Sequence, residues 1–290
     1  MKYLQAFVLV VVVVGLSISP YAKSVDHLQF GEEQADTLQK AVMFSNPAGA
    51  KHVNVDNVNG YVHVVGYDGT AVQLVAHRTI RAASKEEIEL AKKEVELKIT
   101  EKNNTVEFYV DGPFRCQGRT SREDSRRNRY NVNYDIDLQV PRDSGLYLRT
   151  INHGDIQVER VDGDYDVKNI NGKVQLTDIA GAGHAYSLNG GVRVEFSKNP
   201  PRNSYFGTLN GNVDVAFQRG LSADLRFKTF NGSAYSSFAV TPVALESGSG
   251  EHRNGKFIYR SNRSSGARVG SGGPELQFDT FNGNIHLTER

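Results

Sequence analysis

Apolar and polar positions alternate along most of this chain, and over its middle the alternation is cut into equal units. Glycines fall every nine residues, at Gly154, Gly163, Gly172, Gly181 and Gly190. Apolar side chains keep their places between them: Ile156, Val158 and Val161, then Tyr165, Val167 and Ile170, then Val174, Leu176 and Ile179. A repeat of this length holds a short strand and a turn, and predicts strands stacked into an elongated β structure. One unit cannot stand alone. Its three apolar side chains contribute roughly 1.5–3 kcal/mol each on burial. Ordering the backbone costs about 1–2 kcal/mol per residue. Stability therefore arrives only when units stack and share both faces of each apolar layer. The expected fold is all-β, a β-solenoid or β-roll of short stacked strands with one helix inserted near the N-terminal end. Antiparallel hairpins are the alternative reading of the same turns.

A second signature is an apolar residue, then Asn-Gly, then a strand. It occurs at Val58-Asn59-Gly60, Ile170-Asn171-Gly172, Leu188-Asn189-Gly190, Leu209-Asn210-Gly211, Phe230-Asn231-Gly232 and Phe281-Asn282-Gly283. Thr208, Thr229 and Thr280 stand just ahead of three of them. Asn and Gly both tolerate left-handed dihedrals, so the pair closes a tight turn. The apolar residues of the motif (Ile170, Leu188, Leu209, Phe230, Phe281) are expected to stack inside the core, because the slot accepts aliphatic and aromatic residues alike.

The N-terminal half reads as strands over residues 52–58, 61–65 and 72–80, a helix, then strands over 96–100 and 105–110 around Lys102-Asn103-Asn104. Ser84 followed by Glu87 is a capping box. Ile88, Ala91 and Val95 share one helical face, and Glu89–Lys93 is a favourable i,i+4 pair. Residues 35–43 have the composition of a short helix. Tyr130 to Val140 alternates cleanly, and residues 197–205 and 247–273 read as longer loops. The division is a signal peptide over 1–24, a leader over 25–50 and a β-strand-repeat domain over 51–290. That domain comprises an α+β portion (51–111), an Arg-rich loop (112–130) and a repeat portion (131–290).

Composition adds the compartment. Lys2 and the apolar run Ala6 to Leu16, followed by Ser17, Ser19, Pro20, Ala22 and Ser24, read as a secretory signal. The run is too short to span a ~30 Å hydrocarbon core, which needs roughly 20 residues. The protein is therefore expected to be exported, to the periplasm or the cell surface. Cys116 is the single cysteine, so no internal disulfide forms. Net charge is +1, which excludes a global pull toward nucleic acid or anionic membrane.

The signal peptide, the first Asn-Gly strand pair, the helix-bearing insert, the strand ending in Val140-Pro141, Gly154-Asp155-Ile156 and the repeated turns together resemble the bacterial "putative adhesin" family. The resemblance covers most of residues 51–290. It implies an exported or envelope-associated β-solenoid of unknown function, and brings no catalytic residues with it.

Candidate chemistry is sparse. A calcium roll also has a nine-residue period, but Asp162, Asp164 and Asp166 are not repeated in later units. A polysaccharide-active β-helix enzyme is the alternative function. With two units per coil, residues eighteen apart stack, which sets Asp166 beside His184 and Asp155 beside Lys173; such pairs suit acid–base chemistry. The histidines show no metal-ligand spacing, and no cofactor or metal is expected. Arg115, Arg119, Arg122, Arg126, Arg127 and Arg129 form the local candidate for anion binding, through guanidinium forks matched to phosphate, sulfate or carboxylate. Nucleic acid would require interleaved aromatics, and only Tyr130 is near. The function expected is that of a non-catalytic exported protein presenting an extended surface. Its partner would be an envelope protein, an acidic glycan, or a second copy joined through the terminal strand edge at Leu276 to Thr288.

Overall fold

The computed structural model describes residues 31–115, 130–243, 251–253, 256–258 and 264–290. The signal peptide, Cys116 and the arginines Arg119, Arg122, Arg126, Arg127 and Arg129 lie outside the described residues.

The chain is all-β apart from the helix Lys85–Glu94 and one short 3-10 turn among the described residues, and its strands form two large mixed sheets. From Gly145 to Phe217 the chain passes back and forth between them. Gly145–Thr150, Tyr165–Asn169, Gly183–Asn189 and Ser204–Asn210 lie in parallel in the eleven-stranded sheet. Ile156–Glu159, Val174–Ile179, Val192–Phe196 and Val213–Phe217 lie in parallel in the ten-stranded sheet. Each passage through both sheets makes one tier. Val174 pairs with Ile156 and Val192 with Val174, eighteen residues apart; Val213 pairs with Val192, twenty-one apart. Two nine-residue units thus make one tier.

Seven tiers stack among the described residues. The first holds His52–Asp56 and Val62–Tyr67, and the next four run from Gly145 to Phe217. The last two are out of chain order. Glu275–Asn282 lies between Ser204–Asn210 and Ala223–Asn231, and Ile285–Glu289 between Val213–Phe217 and Ala234–Ser236. The segment expected as an open terminal edge is therefore interior to both sheets, which corrects the self-association route through Leu276 to Thr288. Its sequence carries the same Thr-x-Asn-Gly signature as its two neighbours, so it fits the stack as well as they do.

Alternation sets the core. Val, Ile and Leu fill the early tiers, and Phe fills the late ones: Phe206, Phe278 and Phe227 stack at 5.4 and 5.5 Å, and Phe196 stacks on Phe217 at 5.5 Å. At the corner glycines a side chain has no room. A Cβ on Gly190 would lie 2.2 Å from the Gly172 carbonyl oxygen of the tier below, so the regular glycine spacing records close backbone approach.

Beyond the first tier the ten-stranded sheet continues through Tyr130–Pro141, Ala71–Ala82 and Glu32–Met43, the last two pairs antiparallel. Residues 32–43 are thus a twelve-residue edge strand and no helix. Their composition favours a helix only locally, and pairing along the whole length of Ala71–Ala82 overrides that preference. The helix Lys85–Glu94 packs against these three strands through Ile88 and Ala91. Ser84 caps it, accepting from the Glu87 N–H, while the Glu87 carboxylate accepts from the Ala83 N–H. Glu89 pairs with Lys92 at 2.6 Å, one residue short of the expected Lys93. At the far end Ser264–Val269, within a stretch read as loop, pairs antiparallel with Ala223–Asn231.

Candidate functional site

Turn asparagines, all but Asn152 followed directly by glycine, line one corner of the stack. Asn59, Asn152, Asn171, Asn189, Asn210, Asn282 and Asn231 occupy successive tiers, and each side-chain amide donates to the amide oxygen of the asparagine before it, at 2.7–3.2 Å. Asn59 ends the run by donating to the Val132 carbonyl at 3.1 Å. A parallel row is buried. The hydroxyls of Thr150, Ser187, Thr208 and Thr280 donate to the carbonyls of Gly60, Gly172, Gly190 and Gly211, at 2.6–3.0 Å. Counting the alternation from Phe206 or Phe227 therefore points Thr208 and Thr229 inward and Leu209 and Phe230 outward. This corrects the expected core stack. Ile170, Leu209, Phe281 and Phe230 are exposed, Phe230 by 55%, and Phe230 and Phe281 lie face to face at 4.7 Å.

The outer face of the eleven-stranded sheet carries the densest chemistry. Its register aligns Asn54, Tyr147, Asp166, His184, Tyr205, Gln277 and Arg226 in one column across the tiers. The next column holds Asp56, Arg149, Lys168, Tyr186, Gly207, Asp279 and Lys228. Asp166 does stand beside His184, as the eighteen-residue spacing implied, and Asp155 accepts from the Lys173 backbone N–H at 2.7 Å.

These side chains are organised. The Arg149 guanidinium lies 3.8 Å above the Tyr147 ring and donates to Asp166 at 2.9 Å, with Lys168 at 3.6 Å on the other carboxylate oxygen. Arg202 donates to Asp164 at 2.6 Å, and Arg226 pairs with Glu275 at 2.9 Å. The Tyr205 ring lies along its own strand over Gly207, where a Cβ would come within 2.4 Å of the Tyr205 hydroxyl. His184 meets that ring edge-on, with centroids 6.1 Å apart. Burial, with Asp279 and Tyr186 adding to it, pushes the Tyr205 hydroxyl up to about 12. Tyr186 is raised by burial and by Asp279. Both hydroxyls thus keep their protons as hydrogen-bond donors at neutral pH. Two shallow depressions of about 370 and 410 Å³ adjoin at His184 and Asn203, which line both, and we call the pair a groove across the tiers.

Of the arginines expected to bind anions, Arg115 is described, and it is occupied. It donates to the Asp56 carboxylate, the Asp56 carbonyl and the Val110 carbonyl, all at 2.9 Å, and lies 4.4 Å above the Tyr109 ring. Sequence reasoning found Asp166 and His184 and missed Tyr147 and Tyr205. Offsets of nineteen and twenty-one residues, instead of eighteen, hid those two from the same column.

No family model and no curated protein matches the sequence. Among solved structures, the chain is similar to a "putative cell adhesion protein" from Clostridium sporogenes, at 12% identity and a TM-score of 0.45, over 89% of this chain and 100% of that one. It is also similar to a "putative adhesin" from Bacteroides fragilis, at 10% identity and a TM-score of 0.27, over 88% and 97%. A third is a "putative lipid binding protein" from Parabacteroides distasonis, at 10% identity and a TM-score of 0.23, over 87% and 96%. The second carries the name of the family that the sequence resembles, and the first is named for cell adhesion. Among the described residues no helix is long and apolar enough to cross a membrane.

Proposed function

We propose that this is an exported, non-catalytic β-solenoid that presents the outer face of its eleven-stranded sheet for binding at the bacterial envelope. The observation that carries the reading is the state of the carboxylates on that face. Asp164, Asp166 and Glu275 are each held by an arginine, an arrangement that fixes side chains for contact. Acid–base hydrolysis needs a carboxyl group free to reach the substrate, and here each of these carboxylates is tied to a guanidinium. The tiers repeat the same outward columns, so the face is long and flat, as a stacked repeat produces.

The test is retention against turnover. Purified protein is incubated with envelope fractions and with a panel of polysaccharides, and bound protein and released reducing ends are measured together. Retention with no release is expected. Release that disappears in both Asp166→Asn and His184→Ala would establish the enzymatic alternative and refute this reading.

A further inference from the structure

We propose that the groove between Tyr147 and Tyr205 binds an extended, uncharged glycan chain, with its sugar rings laid on the two tyrosines. This rests on the binding role proposed above and names its ligand class.

A pyranose ring offers an apolar C–H face and a rim of hydroxyls. Its partners are flat aromatic faces and planar polar side chains able to take or give two hydrogen bonds. The groove supplies both. The hydroxyl end of Tyr205 occupies the space over Gly207, which has no side chain to displace it, and the ring is half-buried at the side of the groove. Tyr147 is 42% exposed, and Arg149 covers one face of its ring and fixes its orientation, so a sugar would lie on the opposite face. His184, Asn203 and Gln277 line the groove between and beside them.

Spacing agrees with a polymer. Tyr147 and Tyr205 are three strand-to-strand steps apart through Asp166 and His184. At about 4.8 Å per step that is about 14 Å. Each step is close to the advance of one unit along an extended sugar chain, so the tyrosines bracket about three units.

Charge selects the class. Asp164 is paired with Arg202, Asp166 with Arg149 and Lys168, and Glu275 with Arg226. The groove is itself lined by three carboxylates against Lys168 and Arg202, so it presents no excess of cations to draw a polyanion, while its paired charges still present acceptor and donor edges to hydroxyls. An acidic glycan gains nothing here over a neutral one.

The experiment is calorimetric titration of the full chain with cello- and chito-oligosaccharides of one to six units, and with polygalacturonate and sulfated glycan as acidic probes. Affinity for the neutral series should climb up to three or four units and then level off. Tyr205→Ala and Tyr147→Ala should each weaken it at least tenfold. Gly207→Val keeps both tyrosines but lifts Tyr205 from the sheet, and should weaken binding about fivefold or more. Tyr235→Ala, on the outer face of the other sheet, should leave it unchanged, and circular dichroism checks that each variant folds. Neutral oligosaccharides that fail to bind at millimolar concentration overturn the proposal, as does equal binding by the Tyr205 and Tyr147 variants. Acidic glycan that binds through residues 115–129 and ignores the tyrosines also overturns it. Envelope retention without oligosaccharide binding sinks this ligand assignment and leaves the wider binding role standing.

Discussion

Replacing Thr208 by Val tests whether the buried hydroxyl row holds the tiers together. The two side chains are nearly the same size, so the change swaps one hydroxyl for a methyl. Thr208 is 3% exposed and donates to the Gly190 carbonyl at 2.7 Å. Removing the donor leaves a buried carbonyl short of its partner, which costs about 1–3 kcal/mol. The added methyl recovers less than about 0.8 kcal/mol. The net loss should be about 1–2 kcal/mol. Thr229 supplies the control, since its bond to the Gly283 carbonyl is 3.4 Å long and the residue is only half-buried. Thr229→Val should cost less than about 0.5 kcal/mol, in the range of ordinary surface changes. Urea unfolding followed by circular dichroism measures both, and an unchanged slope shows that the midpoint shift is a stability change. Equal losses in the two variants, or no loss in Thr208→Val, would refute the role given to the hydroxyls.

Gly190→Ala should destabilise by about 1–3 kcal/mol, because its Cβ meets the Gly172 backbone and neither can step aside; the same urea assay reads it. Arg115→Ala should cost about 1–2 kcal/mol through the lost charged bonds to Asp56 and the Val110 carbonyl; unchanged retention on a sulfated-glycan column would confirm that this arginine is structural. Stability should fall as pH rises from 10 toward 12. Burial, followed by the hydrogen bond to Asp137, pushes Tyr61 from its ordinary 10.0 up to about 12, so the unfolded chain releases its proton first. Tyr61→Phe should flatten that decline, measured as urea midpoints across the same pH range.

The tiered architecture was legible in the glycine spacing, because the close backbone approach at Gly163, Gly172, Gly181 and Gly190 admits no side chain and so leaves a mark in each successive unit. The pairing of Asp166 with His184 followed from the same count. Three features were not legible. The turn residues Leu209, Phe230 and Phe281 look like core because they are apolar, and only the strand register shows that Thr208 points inward in their place. The edge strand Glu32–Met43 depends on a partner forty residues away, which local composition does not report. The column from Tyr147 to Tyr205 needs the unequal tier lengths of nineteen and twenty-one residues, and those come from turns whose geometry the sequence leaves open.

The order of tiers in space differs from their order of synthesis. Residues 223–236 leave the ribosome before 275–289, yet their final neighbours are those later residues. In the finished stack the late segment is flanked on both sides, by Ser204–Asn210 and Ala223–Asn231 in one sheet and by Val213–Phe217 and Ala234–Ser236 in the other. The earlier-made strands therefore reach their final pairing only once residues 275–289 have entered between them.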